Sequence, residues 1–170
     1  MTRFSPDRSY WAAIGETPDY RMGATAESSE AIRLSGHQDA IYSIAFSPTE
    51  NIVATASIDN TARLWEWPNG RQLAVLAGHK EGLFNCDFSP DGRTLATASG
   101  DKTVKLWHVS TRREVMTLEH DHPVTVCVFS PEGNCLATGT VDGSYKFWRA
   151  AKWDEIKDSE ALNKREDVGP

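Results

Sequence analysis

The chain has 170 residues, a net charge of -6, a hydrophobic fraction of 39% and 3 cysteines. It has no apolar run of about 18 residues, the length that spans a bilayer, and no basic stretch and apolar core of a secretory signal after Met1, so we expect a cytoplasmic protein without a membrane partner. The acidic balance argues against a nucleic-acid partner, because neutralising phosphates requires a basic face, and three cysteines cannot form a closed set of disulfides.

A long internal repeat organises the sequence. F-S-P triplets recur at intervals of 42, 42 and 41 residues, beginning at Phe4, Phe46, Phe88 and Phe129. Three histidines each precede a triplet by 9 residues, and they are His37, His79 and His120. A period of this length is typical of repeat architectures and predicts the fold before any single residue is considered.

The predicted strands follow one another in the same order in each period. The first period matches the end of an inner strand at Phe4 and further strands at 10–14, 20–22 and 31–34. The second has runs at 41–46, 52–57, 62–65 and 73–76, and the third has runs at 83–88, 94–99, 104–107 and 115–118. In the fourth, runs at 135–140 and 145–148 are followed by no fourth strand. Each full period therefore predicts one four-stranded antiparallel sheet, and helical periodicity is absent before residue 150.

The repeat divides the chain into five segments. We expect a degenerate and truncated first sheet at 1–35, a second at 36–77, a third at 78–118, a fourth without its outer strand at 119–149, and a charged helical tail at 150–170. Cys86 and Cys127 take the position of Ile44 in the inner strand, so we interpret them as small core hydrophobes of low reactivity.

A small sheet cannot bury both faces alone, whereas sheets stacked radially bury each face against the next, which predicts a β-propeller. Gly36-His37, Gly78-His79, the Ser-x-Asp turns and the Leu-Trp endings resemble the blades of WD-repeat propellers. The resemblance covers about residues 1–149. No blade ends in the Trp-Asp pair that names the family, since the only such pair, Trp153-Asp154, is out of register.

The resemblance implies a structural tetrad in each blade. Asp would accept from the turn backbone and from His, His would bridge to Ser or Thr, and that hydroxyl would accept from the Trp indole. The three sets are His37, Ser57, Asp59 and Trp65; His79, Ser99, Asp101 and Trp107; and His120, Thr140, Asp142 and Trp148. In the first repeat Gly15, Thr17 and Gly23 stand at the last three positions, so the polar cluster is lost there.

A tempting alternative is that His, Ser and Asp form a hydrolytic triad. A catalytic set is needed once, however, and this set recurs with the fold. A metal site at His120, His122, Cys127 and Cys135 is disfavoured because His120 belongs to a tetrad and no Cys-x-x-Cys spacing occurs. Glycine-rich phosphate loops are also absent. We therefore expect no catalytic residue, no metal and no cofactor.

The resemblance also implies a ligand-binding top face, built from the entry of each inner strand and the residue before each turn Asp. Its members are Ala40, Tyr42, Ile58, Gly82, Phe84, Gly100, Pro123, Thr125 and Val141. Tyr42 and Phe84 lie between inward-facing positions, so strand alternation directs them out of the core of the blade. Two interpretations remain open. These aromatic side chains form a protein interface, or they pack on neighbouring blades or line the central channel of the propeller.

About four blades would form half of a ring. A second copy, another chain or a missing half would complete the ring, or the tail helix would cap the open edge. We expect a non-catalytic scaffold for protein–protein interaction. The alternative is the C-terminal propeller fragment of a multidomain regulatory enzyme such as a protein kinase.

Overall fold

A computed structural model of the chain describes residues 2–14, 20–25 and 31–149. These residues form four antiparallel sheets of three or four strands and contain no helix. The all-β prediction is therefore confirmed for them. The predicted tail helix at 150–170 lies outside the described residues.

Each sheet is a meander in which neighbours in sequence are neighbours in space. The first sheet contains β1 (Thr2–Phe4), β2 (Tyr10–Ile14), β3 (Tyr20–Ala24) and β4 (Ile32–Leu34). The second contains β5 (Ile41–Phe46), β6 (Ile52–Ser57), β7 (Thr61–Glu66) and β8 (Arg71–Ala77). The third contains β9 (Leu83–Phe88), β10 (Thr94–Ser99), β11 (Thr103–His108) and β12 (Arg113–Glu119). The fourth contains β13 (Val124–Phe129), β14 (Cys135–Thr140) and β15 (Tyr145–Arg149).

The inner strands β5, β9 and β13 share an irregularity near their first residues. In β5 the pairing with β6 shifts between Ile41 and Ser43, and the other two inner strands shift at the matching place. Such a β-bulge inserts one unpaired residue and breaks the alternation of side chains. Ile41 and Ile44 can therefore both be buried although they are three residues apart.

Apolar clusters fill the space between consecutive sheets. Between the first and second sheets Ala12, Met22 and Leu34 pack with residues of β5 and β6. Between the second and third sheets the small side chains of β6 and β7 pack with Leu83 and Leu95. A similar cluster joins the third and fourth sheets. Each of the first three sheets thus buries one face against the sheet that follows it, which is how a single thin sheet acquires a core.

Polar side chains of β9 connect the inner strands to one another. Asn85 Nδ2 donates to Ser43 Oγ of β5 at 3.3 Å, and Asn85 Oδ1 accepts from the Cys127 backbone N–H of β13 at 3.0 Å. Asp87 Oδ2 accepts from the Phe129 N–H at 2.8 Å. Two edge amides of β13 thereby find partners in the neighbouring sheet, so inner strands of different sheets are held by directional bonds as well as by apolar contact.

Candidate functional site

A buried polar network lies at the same place in the second and third sheets. In the third sheet His79 Nδ1 is 2.8 Å from Asp101 Oδ2, and His79 Nε2 is 2.8 Å from the Thr97 hydroxyl. The same hydroxyl accepts from the Trp107 indole N–H at 2.9 Å. A carboxylate only accepts, so His79 Nδ1 carries the proton and Nε2 accepts from Thr97. Every polar atom in this chain of contacts therefore has a partner.

The second sheet repeats this arrangement with nearly the same distances. His37 contacts Asp59 at 2.8 Å and the Thr55 hydroxyl at 2.7 Å, and Trp65 Nε1 donates to Thr55 at 2.9 Å. The structure thus brings together the predicted His, Asp and Trp. The bridging hydroxyl belongs to a residue that the sequence analysis did not select.

The predicted bridging hydroxyls were wrong. The structure places Thr55, Thr97 and Thr138 in the position assigned to Ser57, Ser99 and Thr140. Trp65 pairs directly with Val53. Thr55 and Ser57 share one face of β6, but at about 3.3 Å per residue Ser57 lies about 13 Å along the strand from that pair and Thr55 only about 7 Å. The indole reaches the nearer hydroxyl.

The serines instead support the turn that follows their strand. Ser57 Oγ donates to the Asp39 carbonyl at 3.0 Å and accepts from the Asp59 N–H at 3.1 Å. Ser99 makes the equivalent bonds to Glu81 and Asp101. These serines therefore tie the loop before the inner strand to the turn that carries the aspartate.

A second hydroxyl in each turn was missed by the sequence analysis. Thr61 Oγ1 donates to Asp59 Oδ1 at 2.6 Å, and Thr103 does the same for Asp101. The recurrence of Thr or Ser two residues after each turn aspartate was the available signal. Burial, the largest influence, raises the pKa of each carboxyl, but the bonds from Thr, from a loop N–H and from His outweigh it and lower the pKa of Asp59 and Asp101 to about 2.

The three histidines are held in their neutral form. They are only 8% exposed, and burial lowers the pKa of each below its usual value. In the second and third sheets the aspartate partly opposes this effect. A neutral ring has one donor and one acceptor nitrogen, which is what the contacts to carboxylate and hydroxyl require.

The fourth sheet departs from the predicted tetrad. His120 Nε2 contacts the Thr138 hydroxyl at 2.8 Å and Trp148 donates to that hydroxyl at 3.0 Å, but His120 Nδ1 lies 3.3 Å from the Leu118 carbonyl instead of Asp142. The Thr140 hydroxyl donates to Asp142 and keeps that carboxylate within its own turn. The predicted link between His120 and Asp142 was therefore wrong.

The aspartate of the fourth sheet still has donors of its own. Ser144 Oγ donates to Asp142 Oδ1 at 2.8 Å, and His122 Nε2 lies 3.6 Å from Oδ2. The bonds from Thr140 and then from Ser144 lower the pKa of this carboxyl to about 2. Asp142 therefore stays charged without contacting the tetrad histidine.

The first sheet has an aromatic ring where the tetrad tryptophan is missing. Gly23 stands at the tryptophan position, and Trp11 lies opposite it on β2. A Cβ added to Gly23 would lie 3.1 Å from the Trp11 ring. Trp11 thus covers the space that the lost side chain would fill. Gly15 and Thr17 lie outside the described residues.

The buried histidines and cysteines of the sheets have little chemical reactivity. Residues 2–14, 20–25 and 31–149 contain no group of three or more His, Cys, Asp or Glu side chains that could hold a metal ion. Burial raises the pKa of the Cys86 thiol to about 12 and that of Cys127 well above its usual value, so both thiols stay protonated. The histidines of the networks are buried with their nitrogens already bonded, which leaves no free base there.

The candidate top face lies where each inner strand begins. In the second sheet the Ile58 N–H donates to the Ala40 carbonyl at 2.9 Å. Equivalent bonds join Gly100 to Gly82 at 3.0 Å and Val141 to Pro123 at 2.9 Å. The three remaining members are the unpaired bulge residues Tyr42, Phe84 and Thr125. The structure therefore brings the predicted members together within each sheet.

Tyr42 and Phe84 contact each other across two sheets. Their ring centroids are 5.8 Å apart and the planes meet edge to face at 78°. Tyr42 is 53% exposed, and Phe84 is half-buried beside Gly100. A Cβ added to Gly82 would come within 2.9 Å of Ile58, so the second and third sheets touch at this face. The aromatic pair thus both packs between sheets and presents surface to solvent.

Comparison with known families gives three matches along the chain. The model described as "WD domain, G-beta repeat" matches residues 28–66, 70–108 and 112–149, which together make up more than half of the chain. Within the described residues, no helix has the length and apolar character that crossing a membrane requires.

Curated relatives carry the name eukaryotic translation initiation factor 3 subunit I. The protein from Neurospora crassa is 55% identical over 38 residues, and the one from Pyricularia oryzae is 53% identical over 38 residues; each match covers 22% of this chain and 11% of the relative. The protein from Aspergillus niger is 37% identical over 67 residues, or 39% of this chain and 16% of the relative. The chain thus matches only a small part of the length of these relatives.

Proposed function

Because the chain belongs to the WD-repeat family, we propose that it is a non-catalytic scaffold whose top face binds a partner protein. The four sheets act as consecutive blades, with units at 1–35, 36–77, 78–118 and 119–149, arranged as an arc of a propeller. The tetrad networks hold the blades in shape, and the loops and bulges at one edge present the binding residues. A shared fold does not specify a partner, so the argument rests on that surface.

The observation that carries the proposal is the exposed aromatic side chain of Tyr42, 53% accessible and placed on a β-bulge. Bulges re-aim side chains and are over-represented next to functional sites. The Phe84 ring packs edge to face against the Tyr42 ring and supports it on one side. A rigid, partly supported aromatic loses little conformational entropy on binding, which favours it as an interface anchor.

The partner is proposed to be a protein within a multi-subunit cytoplasmic assembly. Two considerations support this choice. The top face combines exposed apolar members, Tyr42 and Val141, with the half-buried Ile58 and Phe84, and it lacks a carboxylate or a cation among its nine members. The relatives are named as a subunit of a translation initiation factor. A surface of this composition fits an apolar patch of a protein better than a phosphate backbone.

The test is a quantitative pull-down from eukaryotic cell extract with the purified chain as bait and mass spectrometry as the readout. The double variant Tyr42→Ala, Phe84→Ala is compared with the wild type and with Val115→Ala, which removes an exposed apolar side chain from β12. Loss of an aromatic anchor costs about 2 kcal/mol or more, a factor of roughly 30 in Kd.

We expect proteins of one assembly, such as subunits of initiation factor 3, to be retained by the wild type and by Val115→Ala and to be lost with the double variant. Equal retention by all three baits would refute the top face as the binding surface. Circular dichroism of the three proteins shows whether the double variant is folded, since Phe84 is half-buried.

A further inference from the structure

The fourth sheet has an apolar face that points away from the third sheet. Two cross-strand rows make up this outer apolar face, because directly paired residues share one side of a sheet. One row is Val126, Gly139 and Tyr145, and the other is Val128, Ala137 and Phe147. Tyr145 is 73% exposed and Phe147 is 64% exposed.

The large side chains on this face support one another. The rings of Tyr145 and Phe147 contact each other, with centroids 5.7 Å apart and planes tilted at 68°. Val126 lies over Gly139, where an added Cβ would meet it at 2.8 Å. Val126 and Val128 are 41% and 48% exposed. Among the described residues, no side chain covers these four.

The same face is buried in both preceding sheets. In the third sheet the matching positions of β10 and β11 are Ala96, Ala98, Val104 and Leu106. The first three are 0% exposed, and they pack with Val124, Cys127 and Leu136 of the fourth sheet. In the third sheet this face therefore forms the contact with the next sheet.

The second sheet follows the same rule. Its matching positions are Ala54, Ala56, Ala62 and Leu64, none more than 1% exposed, and they pack with β9 and β10 of the third sheet. On the fourth sheet Tyr145 stands at the position of Ala62, and Phe147 stands at the position of Leu64. A face with two exposed aromatics and two exposed valines marks an interaction site.

The first sheet offers the complementary surface. Phe4 and Trp11 are paired on the face of β1 and β2 opposite to Ala12, which packs on the second sheet. Phe4 stands at the repeat position of Phe46, Phe88 and Phe129. Trp11 stands at the repeat position of Val53, Leu95 and Leu136. Those residues of the later sheets are the ones that cover the preceding sheet. Phe4 is 58% exposed.

We propose that the outer apolar face of one chain binds the first sheet of a second copy, with Phe4 and Trp11 of that copy packed against Tyr145 and Phe147. The contact joins two different faces, so a twofold axis forms it twice and leaves neither face open. Two arcs of four sheets then form one ring of eight sheets, a number that propellers adopt. This contact follows from the stacking order of the sheets and does not depend on the partner proposed for the top face.

The experiment measures the solution mass of the purified full chain by light scattering after size exclusion across a concentration series. Phe147→Arg and Phe4→Arg each place a charge in the proposed contact, and Val115→Arg is the matched control on β12, where the replaced side chain is 57% exposed. We expect a dimer for the wild type and for Val115→Arg, and monomers for the two interface variants.

Mixing the two interface variants gives a sharper result. In a mixed dimer both substitutions fall in one contact and the other contact is fully wild type, so an equimolar mixture is expected to regain the dimer mass that each variant alone has lost. A face-to-face dimer through the fourth sheets alone predicts that Phe4→Arg has no effect, which would overturn the proposal.

Two further outcomes would also overturn it. A wild-type monomer at every concentration means that something other than a second copy covers the face, such as residues 150–170 or a different protein. A dimer insensitive to Phe147→Arg places the contact elsewhere. The double variant Tyr42→Ala, Phe84→Ala is expected to remain a dimer, so failure of this proposal and failure of the top-face proposal are distinguishable.

Discussion

Replacing Thr97 by valine is expected to destabilise the third sheet more than replacing Ser99 by alanine. Valine keeps the shape of threonine but removes the hydroxyl that donates to His79 and accepts from Trp107. Both partners are buried, so an imidazole nitrogen and an indole N–H each lose the hydrogen bond that they make to this hydroxyl. An unsatisfied buried group costs about 1–3 kcal/mol, so the expected loss is at least about 2 kcal/mol.

Ser99→Ala removes a bond to the Glu81 carbonyl at 2.8 Å and an acceptor for the Asp101 N–H at 3.1 Å. Ser99 is itself buried, but the residues that it bonds are the exposed Glu81 and the half-buried Asp101. Water can therefore replace part of the lost bonding, and the expected loss is about 1 kcal/mol. Urea unfolding followed by tryptophan fluorescence and circular dichroism gives both free energies. A loss for Ser99→Ala equal to or larger than that for Thr97→Val would refute the assignment of the bridging hydroxyl.

The network also predicts a dependence of stability on pH and on which aspartate is changed. Three buried histidines have a lowered pKa in the folded chain, and they are His37, His79 and His120. As the pH falls through about 6.5, these histidines take up protons in the unfolded chain but not in the folded chain. The urea midpoint is therefore expected to be highest above that pH and to decrease at about pH 5.5. A midpoint that stays flat or rises over this range would contradict the burial of neutral histidines. Asp101→Asn is expected to cost about 2 kcal/mol, because Asp101 accepts from His79 and three other donors. Asp142→Asn is expected to cost less in the same urea titration, because Asp142 does not contact His120; an equal loss would indicate that the two turns are equivalent after all.

The strands could be predicted from the sequence because the repeat provides several copies of the same evidence. The predicted runs at 10–14, 41–46, 52–57, 83–88, 94–99 and 135–140 coincide with β2, β5, β6, β9, β10 and β14, and the other predicted runs differ from their strands by one or two residues at an end. The spacing of His, Asp and Trp likewise located the network in the second and third sheets.

Which hydroxyl bridges the histidine and the indole depends on the pairing register of the strands, and residue types alone do not reveal that register. Thr55 and Ser57 lie on one face of the same strand, and both can bond to histidine and indole. The pairing of Ala56 with Ala62 across the turn places Val53 opposite Trp65, and counting back from the turn would have favoured Thr55. The departure in the fourth sheet depends on where the Thr140 hydroxyl points, a rotamer choice that no spacing encodes.

Gly23, which the Trp11 ring covers, shows that the repeat has two separate structural requirements. One is for aromatic volume at the end of the third strand, and the other is for a donor that engages the buried hydroxyl. In the first sheet Trp11 supplies the volume from the neighbouring strand, while Ala13 stands at the position of Thr55 and offers no hydroxyl. Shape and polar specificity can therefore diverge independently, and a blade can lose its signature residues while keeping the thickness that its neighbour packs against.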